Sequence, residues 1–156
     1  MKQTAHLDDV DRRILRVLQQ DANLSHTALA ERVGVSAASC WRRIRSLEDA
    51  SVLRNQVRLV DPEAVGRGVN VLCHVRMKAH ERENRTRFED FVTSHREIME
   101  CYSMSGEWDY LLRVVVSSVA DYERFLMREL LSHPSVATAS SHFALSQVKY
   151  TTALPT

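Results

Sequence analysis

Residues 25–48 hold two short amphipathic segments joined by a single glycine, and this feature constrains the fold more than any other. In the first segment, Leu29, Ala30 and Val33 recur at the spacing of one helical face. Gly34 then supplies a turn that tolerates a positive φ, after which a second helical pattern begins. The spacing predicts a helix-turn-helix, in which the second helix is the one that enters a DNA major groove.

The second predicted helix has one apolar face and an opposite face of small and basic residues. Cys40, Ile44 and Leu47 form the inward stripe. Trp41 flanks this stripe, and we expect it to pack against the first helix of the chain; a contact from its indole N–H to a base or phosphate is the alternative. On the opposite face, small side chains let a backbone approach the groove while guanidinium groups reach guanine edges or phosphates. The residues on this face or at its edge are Ala38, Ser39, Arg42, Arg45 and Ser46.

These positions predict two kinds of DNA contact. Ala38, Ser39 and Arg42 are candidates for base edges, whereas Arg43 and Arg45 are better placed for phosphates. A serine hydroxyl or a backbone N–H at a helix start is a further phosphate donor. A charged face that is merely solvated is the alternative, less favoured within a complete helix-turn-helix. The predicted DNA-contacting residues are Ser25 and Ser36 at the two helix starts, with Ala38, Ser39, Arg42, Arg43 and Arg45.

A further helical pattern precedes this motif, and an extended pattern follows it. The carboxylates of Asp8 and Asp9 suit a helix N-terminus, and apolar residues recur at helical spacing over 10–18. Residues 52–60 have an extended pattern, and proline and glycines come after them, which predicts a hinge strand. The predicted domains are a winged-helix-like helix-turn-helix domain over 1–52, a hinge strand and linker over 53–68, and a second domain over 69–156.

The second domain has the pattern of a small α+β unit. Apolar and polar residues alternate over Val69–Met77 as in a half-buried strand, and Phe88 and Phe91 follow at helical spacing. The predicted order β-α-β-β-α-β is the ferredoxin-like plan. Because such a sheet carries helices on one face only, its bare face must be covered, and pairing with a second copy is the usual solution. The predicted strands cover 69–77, 98–105, 110–116 and 136–145, and the second helix covers 119–130.

Charge and cysteine content narrow the function classes. The net charge is only +1, but residues 1–60 hold 10 Lys and Arg against 7 Asp and Glu, a basic bias that fits DNA contact. Cys40, Cys73 and Cys101 are an odd number without CxxC spacing, so we expect buried thiols, with a redox-sensing thiol as the alternative.

No apolar run approaches the roughly 18 residues of a membrane span, and no export signal follows the polar start. We therefore expect a cytoplasmic protein without a membrane partner.

The chain contains seven histidines, but we expect no metal site. No carboxylate or cysteine completes a ligand set at a standard spacing. His74 and His142 lie on the first and last predicted strands, which need not be neighbours. Since no catalytic triad order, phosphate loop or nucleophile motif is present either, we predict no catalytic residue and no cofactor.

Five segments match a known pattern in order: LDDVDRRILRVLQQD (7–21), LAERVGVS (29–36) with RIRSLE (43–48), CWRRI (40–44), GEWDY (106–110) and VKYTTALP (148–155). Together they resemble the Lrp/AsnC (feast/famine) family of transcription regulators across almost the whole chain. The chain departs from that family at Ser51, where the family usually has glycine, and at Ser46, where a basic residue is common.

The resemblance implies a DNA-binding regulator whose second domain dimerises, assembles to tetramers or octamers, and senses a small molecule, usually an amino acid. A symmetric dimer presents two recognition helices to successive major grooves, so its operator should be roughly palindromic. One alternative is an effector-independent architectural DNA-binding protein, with weak sequence preference and steep salt dependence. The other is a tetrapyrrole decarboxylase-like enzyme of the same fold; such enzymes tend to lose the basic face that Arg42, Arg43 and Arg45 provide here.

The resemblance also implies an effector site at the turn around Gly106. Gly106 lets backbone N–H groups approach a carboxylate, and Asp109 is an anion that can pair with an ammonium group. Geometry alone favours the alternative, a tight β-hairpin in which Asp109 merely caps the turn. The expected effector-binding residues are Tyr102, Ser103, Met104, Gly106, Asp109, Tyr110 and Leu111, joined by Ser140 and Ser141, beside His142, from a neighbouring chain.

Overall fold

The computed structural model describes residues 6–156, which form two compact units. The first unit contains the described residues up to Arg58 together with Lys149–Thr156, and the second unit contains Leu59–Val148. The division between the units lies within the linker expected over residues 53–68. Residues 149–156, which we expected in the second domain, belong to the first unit, so the chain returns to that unit after completing the second.

Three helices form the first unit, and each begins where a side chain caps its first turn. Asp8, Ser25 and Ser36 each accept a hydrogen bond from a main-chain N–H group of the helix that follows. The apolar faces of the helices meet in one core, as their spacing predicts. The helices are α1 (Asp9–Leu18), α2 (His26–Val33) and α3 (Ala37–Asp49). The buried core residues are Ile14, Leu15, Leu29, Ala30, Val33, Cys40, Ile44 and Leu47.

Residues 53–68, where a hinge strand was predicted, form no strand within the described chain. An extended segment becomes a strand only when a neighbour pairs with its N–H and C=O groups, and within residues 6–156 this segment has no such neighbour. Its apolar side chains are open to solvent: Val57, Leu59 and Val60 are 73%, 63% and 67% exposed. The sequence pattern therefore identified an extended apolar segment but not its pairing.

The second unit is a four-stranded antiparallel sheet with helices on one face. Its elements are β1 (Val69–Met77), α4 (Arg82–Ser94), β2 (Ile98–Ser103), β3 (Tyr110–Val116), α5 (Val119–Phe125) and β4 (Val136–Phe143). The strand order β2-β3-β1-β4 is ferredoxin-like, so the predicted α+β fold is confirmed. The last helix ends in a π-helical turn over Leu126–Leu130, where one continuous helix was predicted. Within residues 6–156, no helix has the length and apolar character that crossing a membrane requires.

The strand register separates the sheet into a face covered by helices and an outer face. Val71, Cys73 and Leu112 point towards the helices, where Phe88 of α4 and Tyr122 of α5 cover them. Side chains at the alternate positions of the same strands point away from the helices. Each sequence position on a strand is therefore assigned to the core or to the outer face by its register.

His74 and His142 lie side by side on the outer face, with their ring centroids 5.4 Å apart. The sequence left open whether their strands are neighbours, and in the structure β1 pairs directly with β4. Two histidines do not make up a structural metal site, and within residues 6–156 no group of three or more metal-ligating side chains occurs.

The three cysteines are free thiols in apolar surroundings. Cys40 and Cys73 are buried, and Cys101 is partly buried. Burial raises the pKa of all three thiols, and it raises the pKa of Cys101 to about 11. Since a thiol reacts as its thiolate, these environments favour unreactive cysteines.

The segment 149–156 is bonded through its main chain to side chains at the C-terminal end of α1. The side-chain amide of Gln19 donates to the Leu154 carbonyl at 3.1 Å and accepts from the Leu154 N–H at 2.6 Å. The Arg16 Nε donates to the Thr156 carbonyl at 2.8 Å. Because Gln19 bonds both polar groups of one peptide residue, it holds an extended backbone independently of the side chain there.

Candidate nucleic-acid interface and effector site

The turn between α2 and α3 is made by Gly34, whose φ of 78° lies in the left-handed region. Its N–H donates to the Ala30 carbonyl at 2.9 Å, and the Val35 N–H donates to the same carbonyl at 3.0 Å. These bonds satisfy the end of α2 while the chain changes direction. Because Ser36 caps α3 immediately afterwards, the two helices are joined by the short turn that a helix-turn-helix needs.

The face of α3 opposite its buried stripe is open to solvent. Ala38, Arg42 and Arg45 are exposed on this face, and Ser39 is partly buried at its edge. Trp41, expected to pack against the first helix, is 49% exposed, and the Arg45 guanidinium lies 5.7 Å from its ring centre. The candidate interface therefore includes a surface tryptophan that sequence spacing had assigned to packing.

The three arginines of α3 have different partners. The Nη1 atom of Arg43 lies 2.7 Å from a carboxylate oxygen of Asp8 and 2.7 Å from one of Asp11. Arg43, predicted to contact a phosphate, is thus ion-paired with the acidic start of α1 in the described chain. Arg45 has only a 3.8 Å contact with an exposed glutamate, and Arg42 forms no ion pair within residues 6–156. Arg42 and Arg45 are therefore the arginines of α3 that remain available to DNA.

Ser25 and Ser36 use their hydroxyl oxygens as helix caps. The Ala28 N–H donates to the Ser25 Oγ at 3.1 Å, and the Ser39 N–H donates to the Ser36 Oγ at 3.2 Å. A hydroxyl that accepts one hydrogen bond still carries a proton to donate. Both serines are exposed, so capping is compatible with donation to a phosphate.

Asp109 is bonded to the main chain at the end of β1. Its Oδ2 accepts from the Met77 N–H at 2.7 Å, and its own N–H donates to the Val75 carbonyl at 3.0 Å. Its Oδ1 lies 3.4 Å from the Nδ1 of His80. The preceding turn contains Gly106 with φ 110°, a conformation that other residues adopt only with strain. The Asp109 carboxylate thus bonds to the end of β1 and not to its own turn, and its Oδ1 accepts no main-chain hydrogen bond among the described residues.

One part of the predicted effector set lies together on the outer face of the sheet. Tyr102 of β2 is paired with Leu111 of β3, and Ser140 of β4 is paired with His74 of β1. Met104 follows β2 directly and is exposed. These side chains border the hairpin that carries the glycine turn.

Another part of the predicted set lies at strand positions whose register is that of the core residues. Tyr110 is 4% exposed, and its ring centroid lies 4.8 Å from that of Phe88. The hydroxyl oxygen of Ser141 lies 2.5 Å from that of Tyr122, and Ser103 shares the face of Tyr110. Because successive strand residues point to opposite faces, the side chains of the two groups lie on different faces of the sheet.

Arg76 and Trp108 lie beside the hairpin and were not among the predicted effector-binding residues. The Arg76 guanidinium lies 5.0 Å from the ring centre of Trp108, and its Nη2 lies 2.6 Å from the Glu107 Oε1. The His74 ring lies 5.7 Å from the same indole. A guanidinium stacked on an indole offers parallel N–H donors to a carboxylate. Arg76 could be recognised as a polar position of an alternating strand, but only the register brings it to Trp108.

A helix-turn-helix with free arginines, followed by a ferredoxin-like unit, defines the class of two-unit DNA-binding regulators. The model of the AsnC-type helix-turn-helix domain matches residues 7–48, and that of the Lrp/AsnC ligand binding domain matches residues 70–154. The chain belongs to the Lrp/AsnC family of transcriptional regulators, as its sequence motifs predicted.

Similar proteins span nearly the whole chain. The DNA-binding transcriptional activator DecR of Escherichia coli (strain K12) is 41% identical, over 96% of this chain and 98% of that protein. The glutamate uptake regulatory protein of Zymomonas mobilis is 38% identical, over 96% of this chain and 90% of that protein. A transcriptional regulator of Neisseria meningitidis, solved as a complex with L-methionine, matches with a TM-score of 0.92 and 36% identity, over 96% of this chain and 97% of that one. An AsnC family regulator from Agrobacterium tumefaciens matches with a TM-score of 0.90 and 44% identity, over 96% and 97% of the two chains.

Proposed function

We propose that this protein regulates transcription by binding specific double-stranded DNA through α3. The proposal rests on the exposed face of α3, where Ala38 and Ser39 have small side chains and Arg42 forms no ion pair within residues 6–156. Small residues allow close approach to base edges, and an arginine fork matches the O6 and N7 acceptors of guanine. Arg45 and the hydroxyl of Ser25 contact phosphates, which fix the register of the helix on the duplex.

The DNA-binding form in this proposal is a homodimer that assembles further to tetramers or octamers. The exposed apolar side chains of the linker, Val57, Leu59 and Val60, and the outer face of the sheet around Tyr102 support an assembly that covers them. Closed two-fold symmetry presents two copies of α3, so we expect a roughly palindromic operator with half-sites about one helical turn, or a multiple of it, apart.

Selection of duplexes from a random-sequence pool tests the proposal, because no operator has to be known in advance. We expect a two-fold symmetric consensus, and we expect Arg42→Ala to lower affinity for it by roughly 1–3 kcal/mol while relaxing discrimination at one position. Binding without a consensus, and with a steep salt dependence, would support the architectural alternative instead. An equal loss of affinity for selected and random DNA would assign Arg42 to a phosphate.

The proposed effector is an amino acid, as in the Neisseria meningitidis regulator solved with L-methionine. Its site lies on the outer side of the hairpin, where Tyr102, Met104 and Leu111 border the glycine turn. There the guanidinium of Arg76 is available to a carboxylate by exchange with its exposed glutamate partner, and the Oδ1 of Asp109 is available to an ammonium group.

A thermal-shift screen with the twenty amino acids and several keto acids tests the effector proposal. A ligand that binds only the folded protein raises its melting temperature by mass action. We expect one clear response that Met104→Ala weakens and that the control Met127→Ala, an exposed methionine of the helical layer, leaves unchanged. A response unaffected by Met104→Ala would place the site elsewhere.

A further inference from the structure

The acidic start of α1 and Arg43 of α3 form a closed set of hydrogen bonds. Asp8 and Asp11 each use one carboxylate oxygen in a reciprocal cap: the Asp11 N–H donates to Asp8 Oδ1 at 2.9 Å, and the Asp8 N–H donates to Asp11 Oδ2 at 3.2 Å. The other oxygen of each carboxylate lies 2.7 Å from the Arg43 Nη1. All four carboxylate oxygens are therefore engaged, and one guanidinium nitrogen joins the two aspartates.

The charges of this set are mutually supporting. Hydrogen bonding to the Asp11 N–H and to Arg43 holds the pKa of Asp8 below its usual value. The hydrogen bonds to the two aspartates raise the pKa of Arg43, with the bond to Asp11 as the largest cause. The positive end of the α1 dipole also favours carboxylates at this end of the helix. The pKa shifts of Asp8 and Arg43 both favour the charged forms that pair with each other.

Arg43 also occupies a particular place around α3. At about 100° per residue it lies between Arg42, which faces solvent, and Ile44, which is buried in the core. Its side chain is 31% exposed and that of Asp11 is 15% exposed. The ion pairs of Arg43 lie at the border between the two faces, where they oppose rotation of α3 about its own axis. Apolar packing in the core fixes this rotation less strictly, because it has no preferred direction.

We propose that Arg43 is a positioning residue, which fixes the rotation of α3 on α1 and so sets the direction of Ala38, Ser39 and Arg42. This inference rests on the proposed function, in which α3 contacts DNA. A phosphate contact by Arg43 would remove the shared partner of Asp8 and Asp11 and leave two unpaired carboxylates beside the DNA backbone. Arg43 therefore acts on DNA through the residues that it orients.

Binding measured by fluorescence anisotropy over a salt series distinguishes positioning from phosphate contact. The duplex is the consensus selected above, and the variants are Arg43→Ala, Arg43→Lys, Asp11→Asn and the control Arg45→Ala. We expect Arg43→Ala to weaken binding while leaving the slope of log K against log salt unchanged. Arg45→Ala should reduce that slope by about 0.9 for each phosphate that the variant no longer neutralises. Arg43→Lys should restore part of the affinity, because a single nitrogen meets both carboxylates.

The sign of the Asp11→Asn effect gives an independent test. Asp11→Asn removes a negative charge near DNA, which strengthens binding if charge alone matters. If Arg43 positions α3, the same variant weakens binding, because it weakens the ion pair between Asp11 and Arg43. A stronger complex for Asp11→Asn, or a reduced salt slope for Arg43→Ala, would overturn the inference. If the wild-type protein bound no duplex, the proposed function would fail. The interaction between Arg43 and Asp11 would then be tested by a double-mutant cycle on the free energy of unfolding. Strict additivity of Arg43→Ala and Asp11→Asn would refute the interaction.

Discussion

Two residues with a positive φ lie at the two ends of α3, and only one of them is glycine. Gly34 precedes the helix with φ 78°, and Ser51 follows it with φ 56°. For a residue with a side chain, the left-handed conformation costs roughly 1–2 kcal/mol because its Cβ approaches the following carbonyl oxygen. Ser51 therefore holds strain at the position where its family resemblance leads us to expect glycine.

We expect Ser51→Gly to raise the free energy of unfolding of the first unit by about 0.5–1 kcal/mol, and Gly34→Ala to lower it by about 1–2 kcal/mol. A Cβ on Gly34 meets no atom within 4 Å, so the lowered stability of Gly34→Ala measures backbone strain without a clash. Urea unfolding followed by Trp41 fluorescence in a Trp108→Phe background reports on this unit alone. A Gly34→Ala variant as stable as its parent would contradict the assignment of strain.

The roles of single side chains on α3 were the part least accessible to sequence. Spacing placed Arg42, Arg43 and Arg45 correctly around the helix, but the partners of Arg43 lie 35 and 32 residues away along the chain. Nothing local distinguishes an arginine that meets a distant carboxylate from one that meets DNA. The position of Trp41 was missed for a related reason, since an aromatic residue beside an apolar stripe fits either side of its edge.

Among the strands, the face on which a residue lies could be predicted where apolar residues alternate clearly, but not where they do not. β1 was predicted with its observed bounds because its apolar residues alternate with polar ones over Val69–Met77. β4, with the sequence VATASSHF, offers small residues on both sides, so Ser140 and Ser141 were assigned to one site although they point to opposite faces. Register, which depends on pairing with β1, decides what the sequence pattern leaves open.

Substitutions of Asp109 test two roles: accepting the hydrogen bond from the end of β1 and pairing with an effector ammonium group. Asp109→Ala leaves the Met77 N–H without its acceptor, and we expect the stability of the second unit to fall by about 1–3 kcal/mol. Asp109→Asn keeps an acceptor oxygen but removes the charge, so it should retain most of this stability and yet lose any pairing with an effector ammonium group. Urea unfolding and ligand titration of both variants separate the roles. Equal stability of the Ala variant and wild type would show that the cap is dispensable.

His133 lies between α5 and β4 in a position that suits only its neutral form. Its Nδ1 accepts a hydrogen bond from the Ser135 N–H at 3.2 Å, and its ring lies 5.1 Å from that of Phe91. Protonation at Nδ1 would place two donors against each other. Burial lowers the pKa of His133 below its ordinary value.

A lowered histidine pKa makes the folded state sensitive to acid. Above an unfolded pKa of about 6.5 the full contribution to stability is present, and it is lost as pH falls through the folded pKa. We expect the second unit, followed by Trp108 fluorescence in a Trp41→Phe background, to unfold at lower urea concentration as pH falls from about 7.5 to 5. His133→Asn, which does not titrate, should flatten this dependence. An unchanged pH profile in that variant would assign the acid sensitivity to other groups.

At the scale of the whole molecule, the last segment of the chain is the clearest departure from the predicted organisation. The motif VKYTTALP was assigned to the second domain, and the ligand binding domain model also extends to residue 154. In the structure, Lys149–Thr156 belongs to the first unit, where α1 binds its backbone. The sequence could not show this, because a contact made through main-chain atoms requires no particular side chain on the segment.

Hydrogen exchange tests the contact between Gln19 and the segment. We expect the Leu154 amide to exchange faster with solvent deuterium in Gln19→Ala, because its acceptor has been removed. Gln20→Ala is the matched control, since Gln20 is an exposed neighbour on the same turn. Equal exchange rates of Leu154 in both variants would show that Gln19 does not hold the segment.

In topological terms the second unit is an insertion in the first, entered after Arg58 and left before Lys149. A segment that merely trailed from β4 would leave the DNA-binding helices attached through one covalent connection, whereas a segment bound to α1 provides a second. Residues 59–148 are thereby connected to those helices along two stretches of chain. A fragment cut at Arg58 would retain every residue of the recognition helix and still lack part of the unit that carries it.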